Sequence, residues 1–99
     1  MDDYEKKILS VFVNSSIPEY YYLDHSDNIL FLVDLDAEAK NILKKKKLYK
    51  DFGNWLIHGY AMFLEQTDLK DYDDELLEYL NLVHTVVYIA LKYATKKSK

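Results

Sequence analysis

The chain contains no cysteine and no arginine, and only one proline and two glycines. Without cysteine there is no disulfide framework and no thiolate metal site, and nothing suggests a small secreted scaffold. Without arginine, all thirteen basic residues are lysine, which acts as a point charge. Lysine lacks the planar fork that reads guanine and clamps phosphate, so sequence-specific DNA reading is disfavoured. Scarce glycine and proline leave few breaks and favour long regular elements. No apolar run approaches the roughly 20 residues that a membrane helix needs. The first residues, MDDYEKK, are charged, unlike a secretory leader. These absences point to a soluble intracellular protein that does not span a membrane.

What is present fits one domain covering 1–99, near the commonest domain size. Hydrophobic residues make up 49% and aromatics 15%, too much apolar surface for intrinsic disorder. Seventeen acids against thirteen bases give a net charge of −4, which weighs against a general nucleic-acid binder.

Periodicity predicts the elements. Tyr4, Ile8, Val11 and Phe12 recur at helical spacing, so Asp2 to about Val13 reads as a helix ended by Asn14-Ser15-Ser16-Ile17-Pro18. "EYYYLD" and "NILFLVDLD" are rich in β-formers and flank five turn-forming residues, Asp24 to Asn28. They predict a β-hairpin over about 19–34, its second strand buried on both faces. Asp36 reads as the cap of a helix extending to about Gln66. Within it, Ala39, Ile42 and Leu43 form one stripe, while Leu48, Phe52, Leu56, Gly59 and Phe63 form another, about a third of a turn away. One straight helix cannot bury both. The slip falls at Lys44 to Lys47, which predicts a broken helix pair with the lysines at the joint. Trp55 and Gly59 then belong to the packed face, with Gly53 and Gly59 easing close approach. Asp73 reads as the cap of a long last helix running to about Thr95. The expected class is therefore α+β, predominantly helical.

The last helix carries two apolar stripes. Leu76, Leu80, Val83, Val87 and Ala90 form the first; Tyr79, Leu82, Val86, Ile89 and Tyr93 form the second. A helix apolar nearly all round is either central or shared, so the second stripe is a candidate self-association surface for a homodimer. Tyr20, Tyr21 and Tyr22 put polar-tipped rings on both faces of the expected first strand and form a candidate partner surface. Lys40, Lys44, Lys45, Lys46, Lys47 and Lys50 are candidate phosphate contacts, with Tyr49 or Trp55 available for stacking. Against that stands a solvated joint whose lysine stems lie over apolar neighbours.

No catalytic, cofactor or metal motif accompanies these. His25 sits among turn formers and lacks convergent ligands; His58 and His84 fall on different helices with no metal spacing. His58 shares a helix face with Asp51, Asn54 and Glu65, the pattern of an ordinary solvated face. "DLKDYDDELLE" lacks the glycine and the terminal glutamate of a calcium loop. No enzyme, metal or cofactor is expected. Two readings remain: a non-enzymatic protein-interaction module, and a sequence-independent nucleic-acid binder using Lys40–Lys50.

Stretches such as "EYYYLDHSDNILFLVDLD" and "ELLEYLNLVHTVVYIALKYATKKSK", in a short chain with lysine but no arginine or cysteine, give the sequence its texture. In this it resembles the small intracellular proteins encoded by filamentous and rod-shaped viruses of hyperthermophilic archaea. Low-GC bacteria and their phages share such texture. The resemblance implies a heat-stable protein of the host cytoplasm, in a family with no assigned activity.

Overall fold

The computed structural model describes residues 2–45 and 50–97, with side chains for 2–45 and 56–92. Among the described residues the architecture is four α-helices, Asp3–Asn14 (α1), Asp27–Lys44 (α2), Lys50–Gln66 (α3) and Asp74–Lys97 (α4). Two short 3-10 turns, Glu19–Leu23 and Leu69–Asp71, join them. There is no strand among these residues. The α+β class and the hairpin at 19–34 are therefore corrected: the first expected strand is a 3-10 turn and the second is the front of an α-helix.

Local chemistry explains the correction. Ser26, assigned above to a hairpin turn, caps α2 by accepting from the Ile29 amide at 3.4 Å, and Asp27 suits the positive helix start. From there Ile29, Leu32, Leu35, Asp36 and Ala39 are buried, a spacing of three to four that only a helix produces. Asp36 is an interior residue of α2 and caps nothing. Pro18, with φ near −50°, starts the first 3-10 turn, where its fixed torsion fits.

The other caps are local too. Asp2 and Glu5 form a capping box on α1, each side chain accepting from the other's amide, at 2.8 and 3.2 Å. Asp73 caps α4 by accepting from the Leu76 amide at 3.1 Å. The inward face of α1 is rotated from the expected stripe. Glu5 and Phe12 are buried and Ile8 and Leu9 pack on the core, while Tyr4 and Val11 are exposed.

Each helix packs on its sequence neighbour, and α1 closes onto α4. Glu5 of α1 pairs with Lys92 of α4, and Phe12 with Tyr79, so these two helices run antiparallel. Asn28 donates to the Gln66 carbonyl at 3.0 Å, and Leu35 meets Gly59, so α2 and α3 also run antiparallel. The result is an up-down-up-down arrangement. Its core includes Phe12, Ile29, Leu32, Leu56, Phe63, Leu76 and Val86; burying one such side chain contributes roughly 1.5–3 kcal/mol. Gly59 allows a close approach: a Cβ there would lie 2.6 Å from Leu35 Cδ1, so any larger residue makes Leu35 shift. The expected joint falls between the end of α2 at Lys44 and the start of α3 at Lys50. Leu48, the side chains of Phe52 and Trp55, and the packing around Gly53 lie outside what the structure describes.

Candidate functional site: a buried lysine cluster and an open groove

The helical path of α2 turns Lys40 away from the other lysines and into the bundle. Its side chain is 12% exposed, and that of Asp36, one turn earlier, 7%. The ammonium donates to Asp36 Oδ2 at 2.8 Å, to the Tyr79 hydroxyl at 2.8 Å and to the Ser15 carbonyl at 2.6 Å, using all three N–H bonds. Tyr79 donates its own proton to the other Asp36 oxygen. The ammonium also lies 5.0 and 5.2 Å from the ring centroids of Phe12 and Tyr79. Since α1 has no basic residue in its last turn, Lys40 supplies a cation to its C-terminal end. Three helices thus meet on one side chain.

Lys40 is therefore not a phosphate contact: every donor it has is spent inside the fold. Lys44 and Lys45 are exposed at the end of α2. Lys46 and Lys47 lie outside the described residues, as does the Lys50 side chain. The second stripe of α4 is likewise corrected as a surface. Tyr79, Val86 and Ile89 are buried within the fold, and Leu82 packs half-buried against the core, because α1 and α3 cover α4 from two sides. The Tyr93 side chain is outside the described residues.

The three consecutive tyrosines separate. Tyr21 is buried, its ring edge-on to Tyr72 at 5.8 Å, while Tyr20 and Tyr22 are exposed. Tyr20 and Tyr21 both donate to the Asp73 carboxylate, and the Asp73 amide donates to the Tyr21 hydroxyl at 3.1 Å. The tyrosine turn is thus clasped to the start of α4. The Tyr20 bond and the Leu76 amide hold the Asp73 carboxyl below its ordinary range.

Burial raises the Tyr79 phenol pKa above the ordinary 10.0, and the Asp36 charge and hydrogen bond raise it further. The neutral phenol's contribution to stability is complete while the unfolded chain also keeps its proton. It drains as pH rises through about 10, where the unfolded tyrosine ionises and the folded one does not. One such proton costs about 1.4 kcal/mol per pH unit in that window. Between about pH 9 and pH 11, denaturant titration should show the parent losing more stability than Tyr79→Phe, by about that amount. Equal losses would contradict the buried placement.

Among the described residues, a groove of about 270 Å³ lies between α2 and α3. Phe31, Leu35 and Gly59 form its floor with Met62, and Asp34, Glu38 and His58 stand on the rim. Beyond His58 and Met62, a second depression of about 240 Å³ adds Ile57, Ala61 and Glu65. His58 and Glu65 do share a wet face, as expected; the side chains of Asp51 and Asn54 are outside the described set. His25 is exposed in a loop, and His84 is exposed with its ring 6.4 Å from Tyr60. Among the described residues no three histidine or carboxylate groups converge as metal ligands, and no helix is long and apolar enough to cross a membrane.

Sequence reasoning missed both features. The Asp36–Lys40 spacing of four, a helical ion-pair signal, was the sign available for the first. Placing Leu35 against Gly59 needed the tertiary fold. No protein-family model, curated protein or solved structure matches the chain.

Proposed function

We propose that this chain is a non-enzymatic interaction protein that binds a protein partner inside the cell that makes it. One observation carries the reading: large apolar side chains remain in solvent after the helices have packed. Leu23 is 81% exposed and Tyr88 70%, and Tyr4, Tyr22, Leu30 and Met62 are also exposed. On a small chain that already closes its own core, such residues are candidates for the anchors of a second protein. Three of the acids have structural work: Asp36 holds Lys40, Asp73 caps α4, and Glu5 pairs with Lys92. The intracellular setting rests on the cysteine-free composition and on the resemblance to small proteins of archaeal viruses. The surface proposed is no longer the second stripe of α4, nor Tyr21, both of which the fold covers.

The test is site-specific photo-crosslinking in the producing cell, with benzoylphenylalanine at Leu23, Met62 and Tyr88 in turn and at exposed Lys70 as the control. The reading expects a discrete adduct with another protein from one or more of the three apolar positions and none from Lys70. No adduct from any of the three would overturn it.

A further inference from the structure

We infer that the α2–α3 groove is the docking site, and that its occupant is an amphipathic helix of a partner protein carrying lysine or arginine on its flanks. The inference rests on the protein-binding reading above and adds the place and the chemistry.

The shape argues first. The two depressions share His58 and Met62, so they form one continuous strip across α3. The strip is open and shallow, unlike the closed pockets that bury most of a small molecule. The mostly apolar depression between α2 and α3 is instead a seat for a helix that presents residues at i, i+3, i+4 and i+7, and the second depression, lined by α3 alone, extends it with a more polar edge. The floor follows from sequence: with no Cβ at Gly59, Leu35 lies against the α3 backbone, and Phe31 and Met62 complete the apolar lining. Methionine adapts its shape to an incoming side chain, as binding surfaces of this kind require.

Charge then selects the occupant. The rim carries three carboxylates, Asp34 and Glu38 on α2 and Glu65 on α3, beside the single imidazole of His58. Among the described residues no lysine lines either depression. Asp34 and Glu38 are four residues apart and so stack along one edge of the strip, while Glu65 stands at the other end. Lys40, which could have neutralised them, is locked inside with Asp36. Lys44 and Lys45 lie about 9–10 Å further along α2 from Glu38, beyond the strip. A cationic helix gains apolar contact on the floor and opposite charge along the rim. The chain's net charge of −4 adds steering from a distance.

The experiment uses the full chain and a fluorescein-labelled synthetic helix of leucine and lysine with helical periodicity, followed by anisotropy. A helix of the same pattern with glutamate for lysine is the comparison. The parent should bind the lysine helix and not the glutamate helix. Met62→Lys, and separately Asp34→Lys with Glu38→Lys, should weaken binding at least about tenfold, while Tyr88→Lys on α4 should leave it unchanged. All four positions are exposed, so the fold should survive, which circular dichroism of each variant checks. Three outcomes overturn the inference: no binding at high micromolar chain, groove variants that bind like the parent, or equal binding of the glutamate helix. So does a concentration-dependent dimer in light scattering that Met62→Lys abolishes, because the occupant is then a second copy. If photo-crosslinking succeeds from Leu23 or Tyr88 while the groove ignores the lysine helix, the site assignment fails and the protein-binding reading stands.

Discussion

Lys40→Ala should destabilise the protein by about 3–5 kcal/mol, a large part of the stability of a chain this size. The cost is not mainly the lost attraction. It comes from what the truncation leaves behind: the buried Asp36 carboxylate and Tyr79 hydroxyl and the partly buried Ser15 carbonyl, beside an ammonium that is gone. Two consequences separate this account from a surface lysine that makes a favourable pair. The cost should change little with added salt, because a buried pair is weakly screened. And replacing the cluster as a unit, with Asp36→Leu, Lys40→Met and Tyr79→Phe together, should cost less than Lys40→Ala alone, since apolar side chains leave fewer orphaned groups. Urea denaturation of the single and triple variants checks both. A Lys40→Ala chain within about 1 kcal/mol of the parent would place Lys40 in solvent, as the phosphate-patch reading requires.

Ile29→Asp should unfold the chain or cost more than about 4 kcal/mol, whereas Leu30→Asp next door should change stability by less than about 0.5 kcal/mol. Ile29 is 0% exposed in the core, where a carboxylate finds no partner; Leu30 is 46% exposed on the outer face of α2. A strand buried on both faces would suffer from either substitution. The pair therefore distinguishes the helix from the hairpin that composition suggests. Thermal melts and far-ultraviolet circular dichroism of both variants give the answer.

That contrast also shows where sequence patterns stop. The starts of α1 and α4 were legible because their signals are local: Asp2 and Asp73 accept from amides three residues on. The joint after Lys44 was legible because two stripes out of phase cannot share one surface. The first half of α2 was not, because Ile29 to Val33 is apolar without interruption, and such a run fits a buried strand as well as a buried helix. Ser26 with Asp27 was a cap signal hidden in a stretch that also suits a turn. Asp36 misled for a related reason: aspartate disfavours helix interiors in water, but here burial with Lys40 and Tyr79 reverses the preference. The second stripe of α4 was read correctly as apolar and wrongly as surplus. Periodicity shows that a face needs cover, and it cannot say whether the cover is a second copy or the chain's own α1. The groove depends on Leu35 meeting Gly59, two residues 24 positions apart, and no local rule pairs them.

The Lys40 cluster and the groove both require α2 to be one continuous helix over Asp27–Lys44. Backbone chemical shifts of the labelled protein across these residues test this most directly. The account predicts helical Cα shifts without interruption from Asp27 to Lys44, with sequential amide contacts throughout. Extended shifts over 29–34, with cross-strand contacts to 19–23, would contradict it.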